Sequence, residues 1–203
     1  FDASFVMTTY KNEILKIAEG LPFFDSGTSR IGPFNRNIVG QSMSEFFGYQ
    51  VEGLFQSSAE VTGAPTQAGA EAGFFRYANI DNSNNVIDPN DRTSIGNPNP
   101  KFTYGLNLGV TYKNFDITTF FYGSQGNDIF NYNKWWLDFW PSFQNQKSKD
   151  LLNSWTPTNT GSTTPKASNK SNFSTNTQSV SYYVEDGSFM RLKNLQIGYT
   201  MPK

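Results

Sequence analysis

The sequence predicts an all-β chain of antiparallel strands, of the length and patterning that line a transmembrane β-barrel. Three observations predict it. One 11-residue stretch alternates apolar and small or polar residues without a break, and a two-residue turn with a matching return strand follows it. Aromatic residues make up 16% of a chain that is only 36% hydrophobic. Long connections rich in Asn, Ser, Thr, Pro and Gly lie between the strand signals. Unbroken period-two alternation is the signature of a strand with two unlike faces, not of a helix.

In chain order, residues 1–7 come first, with Phe1, Ala3, Phe5 and Met7 alternating against Asp2, Ser4 and Val6. A strand is expected there, running on toward Tyr10. Residues 46–55 are aromatic and punctuated by Gly, which reads as a strand near the base of a loop. Residues 57–100 read as a long loop. Residues 102–112 then set Phe102, Tyr104, Leu106, Leu108, Val110 and Tyr112 on one face, and Thr103, Gly105, Asn107, Gly109 and Thr111 on the other. Lys113-Asn114 makes a two-residue connection, with Asn suited to the positive φ of a tight hairpin. On return, Tyr112 should face Phe115, Val110 should face Ile117 and Leu106 should face Phe121. Residues 131–181 form a second long loop. At the C-terminal end Leu195, Ile197, Tyr199 and Met201 alternate, while Met190 and Leu192 lie one step out of phase. A bulge near Lys193-Asn194 is expected.

A soluble sandwich would bury the apolar face against a second sheet, whereas an outer-membrane barrel would turn it to lipid. Sandwich strands run about 5–6 residues and tilted membrane strands about 9–11, so the hairpin favours the barrel. Its aromatic residues fall near both ends, as interfacial girdles require, and its other face is polar like a wet lumen. Both ends of the chain read as cut, since it opens without Met and closes on a strand entering a turn. It is therefore expected to be an internal piece of a longer protein.

Composition excludes several classes. With 16 basic and 17 acidic residues the net charge is −1, which offers no footprint for nucleic acid. The chain has no Cys and no His, so thiol chemistry, Ser-His triads and most zinc sites are absent. No apolar run approaches the roughly 20 residues of a membrane helix. The 22 Asn, 20 Ser and 18 Thr stand beside too many aromatics for a disordered chain.

Three blocks carry a family resemblance. Residues 40–49 (GQSMSEFFGY) with 53–56 (GLFQ), residues 87–92 (IDPNDR) with 95–105 (IGNPNPKFTYG), and residues 183–194 (YVEDGSFMRLKN) followed by 198–200 (GYT) occur in family order. Together they resemble the SusC/RagA family of TonB-dependent outer-membrane transporters. The resemblance implies that residues 1–203 are the C-terminal part of the barrel domain of a plugged barrel of about 22 strands. It also implies a Gram-negative outer-membrane location, with lipid around the strands. A SusD-like surface lipoprotein would cap the barrel, TonB-ExbB-ExbD would act through a plug outside this chain, and the cargo would be an oligosaccharide or a peptide. A soluble β-sandwich carbohydrate-binding module is the alternative.

Two candidate sites follow. Many family members carry an EF-hand-like run where this chain has residues 80–92, which makes Asp81, Asn85, Asp88 and Asp91 candidate Ca²⁺ ligands. The match is broken, because Asn84 and Asn85 replace an Asp-Gly and Ile80 occupies the first ligand position. Asx-turns that order the loop are the competing reading. The densest aromatic cluster is Trp135, Trp136, Phe139 and Trp140, with Phe143 beside them. Such rings stack on cargo, anchor a partner, pack into a local core, or sit at the outer membrane interface. No cofactor beyond the loop Ca²⁺ and no enzyme activity is expected. Glu185 and Asp186 are adjacent and point to opposite faces of a strand, so they form no acid/base pair. They are expected to tie loop backbone.

Overall fold

The structure, a computed structural model, describes residues 1–27, 29–142 and 146–202. Phe143 of the aromatic cluster therefore lies outside the described residues. In chain order the elements are β1 (Asp2–Thr9), β2 (Phe23–Ser26), β3 (Asn35–Ile38), β4 (Glu45–Tyr49), β5 (Val51–Leu54), the short helix α1 (Ser58–Gly63), β6 (Phe75–Tyr77), β7 (Arg92–Gly96), β8 (Phe102–Tyr112), β9 (Phe115–Gln125), β10 (Asp128–Phe130), the single turn α2 (Asn133–Leu137), β11 (Val184–Asp186) and β12 (Phe189–Tyr199). The chain is mostly β, and every ladder between named strands is antiparallel. No described helix is long and apolar enough to cross a membrane.

The long strands form one open sheet in the order β1-β8-β9-β12, not closed into a barrel. Its hairpin has the register expected from the sequence, with Tyr112 opposite Phe115, Val110 opposite Ile117 and Leu106 opposite Phe121. β1 stops at Thr9, short of Tyr10, and sets Phe5 opposite Leu106 and Met7 opposite Tyr104. In β12 the register slips between Leu192 and Asn194, with Leu192 opposite Phe121 and Leu195 opposite Thr119. That extra residue returns Leu195, Ile197 and Tyr199 to the face that holds Met190 and Leu192. The turn differs in one detail from expectation. Lys113, not Asn114, holds the left-handed conformation (φ 51°).

All four strands share one apolar face, and it is uncovered. Phe5 is 61% and Ile197 67% exposed, and among the described residues no second layer lies on them. Ser4, Thr103, Asn107, Thr118 and Gln196 stand on the opposite face at alternate register positions. A Cβ on Gly123 would collide with the Tyr104 ring, so only glycine lets that ring lie flat across the neighbouring strand.

The hydrophobic core lies elsewhere. Two excursions leave the same end of the sheet, residues 10–101 between β1 and β8, and residues 126–188 between β9 and β12. Tyr49, Leu54, Phe75, Tyr77 and Ile87 of the first pack with Trp135, Phe139, Trp155, Val180 and Tyr183 of the second in one cluster. Burying each such side chain contributes about 1.5–3 kcal/mol. The excursions carry small sheets of their own, β2-β3-β4-β7, β5-β6 and β10-β11. The stretch read as one strand over residues 46–55 breaks at Gln50 into β4 and β5, which pair with β7 and β6 respectively. Tyr49 also donates its N–H to the Ser179 carbonyl at 2.9 Å, which draws the second excursion onto the first.

Candidate functional site

The aromatic cluster is built on α2. Tyr132 precedes this turn without a side-chain cap, and Asp138 N–H closes it on the Lys134 carbonyl at 2.8 Å. One turn brings residues three and four apart onto one side. Trp135 and Phe139 accordingly point into the core, each 6% exposed. The Trp135 indole N–H donates to the Asn176 carbonyl at 2.7 Å, which satisfies its polar edge. Phe139 meets Phe75 at 5.9 Å and Tyr183 at 6.2 Å between ring centroids. Trp136 is half-buried and packs edge-on against Trp135 at 4.8 Å, with the Arg30 guanidinium 5.3 Å from its ring. Trp140 is 49% exposed. Of the four candidate binding residues, the surface therefore shows Trp140 and part of Trp136.

Two tyrosines beneath this cluster have opposite hydrogen-bond fates. Tyr182 donates its hydroxyl to Asp138 Oδ2 at 2.8 Å. Burial raises the Asp138 carboxyl above its ordinary range, and the Tyr182 bond offsets part of that rise. Lys147 runs under the same turn and donates to the carbonyls of Trp136 and Phe139 at 3.0 and 2.7 Å, while burial lowers its ammonium. Tyr183 is fully buried, and its hydroxyl has no hydrogen-bond partner among the described residues. Tyr183→Phe is therefore expected to be neutral or to stabilise the protein by up to about 1 kcal/mol. Tyr182→Phe should cost about 1–3 kcal/mol, because Asp138 keeps a buried charge with one donor fewer. Thermal melting of the two variants compares them directly. A destabilising Tyr183→Phe would mean that its hydroxyl is satisfied.

In the 80–92 loop the four candidate metal ligands are spread among local partners. Asp91 is fully buried, and its carboxylate accepts the N–H groups of Ile80 at 2.6 Å, Asp81 at 3.3 Å and Asp88 at 2.9 Å. Asp88 accepts from Asn90 N–H at 2.7 Å and completes a capping box with Asp91. Asp81 accepts the N–H and hydroxyl of Ser83, which lowers its pKa. Asn85 is exposed, and its carbonyl accepts Thr66 N–H. Among the described residues, no three His, Cys, Asp or Glu side chains gather as a metal-binding set. Further along, Glu185 pairs with Lys134 at 2.8 Å, which holds its carboxyl below the usual range, and it also accepts from Asn131. Asp186 accepts Ser188 N–H at 2.8 Å and so ties loop backbone as expected, whereas the bonds of Glu185 go to side chains.

Sequence reasoning missed the amides that stitch the excursions together. Gln67 donates to the Phe75 carbonyl at 2.7 Å and to Ser174 Oγ at 2.8 Å, and accepts Tyr77 N–H. Gln56 accepts the Trp155 indole N–H at 2.7 Å. Neither glutamine sits in a periodic pattern, so no local signal marks them. A cleft of about 310 Å³ also opens where both excursions meet, lined by β5 and by residues that include Thr163 and Tyr182.

No protein-family model matches the chain. Two curated relatives do, both from Formosa agariphila. TonB-dependent receptor P3 is 34% identical over the whole of this chain, and TonB-dependent receptor P26 is 31% identical over 98% of it. The chain spans about one fifth of the length of each, 20% in both cases. Among solved structures, that of the RagAB peptide transporter superposes on 98% of this chain and 20% of its own, with a TM-score of 0.73 at 22% identity. The RagAB peptide importer in its closed-closed state gives 0.69 at 22% identity, with the same coverage. The fold is thus that of part of RagA, and the chain is homologous to about one fifth of the length of these TonB-dependent receptors.

Proposed function

We propose that the chain is the C-terminal part of the barrel domain of a TonB-energised outer-membrane transporter that imports peptides or oligosaccharides. One observation carries this reading. The long strands present a continuous uncovered apolar face, while the excursions at one end bury a core of their own. Exposed to water, an apolar surface of that extent is a liability; against lipid it is the required outer wall. The opposite, polar face is then the lumen. The two-residue turn lies on the periplasmic side, and the excursions stand outside the cell. A SusD-like lipoprotein would meet them there, and TonB-ExbB-ExbD would act through the plug. The likeness to a peptide transporter favours peptides among the two cargo classes.

The test uses the full-length receptor in its native membrane. It should fractionate with the outer membrane, migrate differently after boiling, and support peptide uptake that disappears without TonB. Trp140→Ala should weaken binding of the lipoprotein or the cargo by about tenfold, in the range of an exposed aromatic anchor, with little change in stability. Trp135→Ala should instead cost about 3–5 kcal/mol in stability, as a core deletion does. Normal binding by Trp140→Ala would return that ring to the ordinary surface. Uptake that persists without TonB would defeat the transporter reading.

A further inference from the structure

We infer that the cleft beside β5 takes an extended peptide, which adds to that strand as a backbone-paired neighbour. This inference rests on the peptide-import reading and specifies where such a cargo is held. Among the described strands β5 pairs with β6 alone, along one edge. All four of its residues line the cleft of about 310 Å³, and Ser162, Thr163, Ser181 and Tyr182 supply much of the remaining wall. That volume falls at the small end of ligand sites, which run about 300–1,000 Å³.

The outer edge of β5 explains the choice of ligand. Phe55 exchanges hydrogen bonds with Phe74 and Gly73 on the β6 side, so its neighbour Leu54 turns its carbonyl the other way. Among the described residues no strand ladders along that edge; residues 179–181 reach only its start, bridging at Tyr49, and side chains satisfy β5 itself. Ser181 Oγ accepts the Val51 N–H at 2.9 Å, and Gln56 Nε2 donates to the Leu54 carbonyl at 2.8 Å. These are bonds that a peptide carbonyl and a peptide N–H can take over one for one. Between them Gly53 adds no side chain, and a Cβ there would meet nothing within 4 Å, so the backbone is open to close approach. Tyr182 is fixed by Asp138, which keeps that wall from collapsing into the gap. Exchanging one set of hydrogen bonds for another gives modest affinity and little dependence on side-chain identity, as strand addition does.

The experiment uses the full-length receptor in detergent and a terminally blocked hexapeptide of alternating alanine and threonine. N-methylation of the amides of one alternate set should weaken binding by about tenfold, and methylation of the other set should leave it unchanged, because only one set faces β5. Thr163→Trp, which fills the cleft from an exposed position, should weaken binding of the unmodified peptide to a similar degree. Equal effects of the two methylated sets, or unchanged binding by Thr163→Trp in a receptor that still imports peptides, would overturn the site and leave the transporter reading standing. Import of glycans without any peptide uptake would overturn the cargo assignment and this inference with it.

Discussion

Asp91→Ala is expected to cost about 3–5 kcal/mol, because it leaves three backbone N–H groups without their shared, fully buried acceptor. Those groups belong to Ile80, Asp81 and Asp88, so the loss reaches both ends of the 80–92 loop at once. Asp91→Asn keeps one acceptor oxygen and should lose roughly half as much, since a charged acceptor is worth about twice a neutral one. Thermal melting gives the size of the effect, and limited proteolysis shows whether cleavage concentrates between residues 80 and 90. An Asp91→Ala protein that melts with wild type would show that its carboxylate is dispensable. A rise in wild-type melting on adding Ca²⁺, lost in Asp81→Ala and Asp88→Ala, would assign the loop to a cation as well.

Leu108→Arg should be the most damaging change in the long strands, and its neighbour Asn107→Arg should be mild. The two positions are adjacent in β8 and project to opposite faces. Against lipid, an arginine near the bilayer midplane costs about 2–4 kcal/mol, whereas a lumen face accepts charge. Refolding of the full-length receptor into vesicles, followed by migration with and without boiling, measures both. Equal tolerance of the two substitutions would contradict the assignment of the apolar face to lipid.

The sequence was most legible where one rule acts over a long span. In β8 and β9 the period-two pattern runs for 11 residues on each strand, and a two-residue turn leaves a single register that pairs like faces. The bulge in β12 was legible for the same reason, since a slip in phase is visible only against a regular background. The excursions gave no such background. β6, β10 and β11 are three residues each, too short for alternation to register. Their stability comes from contacts between residues far apart in sequence, such as Gln67 with Ser174 and Trp155 with Gln56. The candidate sites suffered likewise. Composition marked Trp135, Trp136, Phe139 and Trp140 as a cluster, but only the turns of α2 and of the residues just after it decide which rings are buried. The acidic residues of the 80–92 loop were visible by type, while the burial of Asp91 was not.

The core shared by the two excursions makes them a single inheritable unit. Neither half can close its aromatic cluster until the other has been synthesised and delivered to the same side of the sheet. The first must therefore wait, half-packed, for the second. Transplanting one excursion onto another receptor would leave Tyr49, Phe75 and Tyr77 without the rings that cover them, or leave Trp135 and Tyr183 orphaned in turn. Changes to this core are constrained to travel in pairs, with each substitution on one excursion matched by a repair on the other.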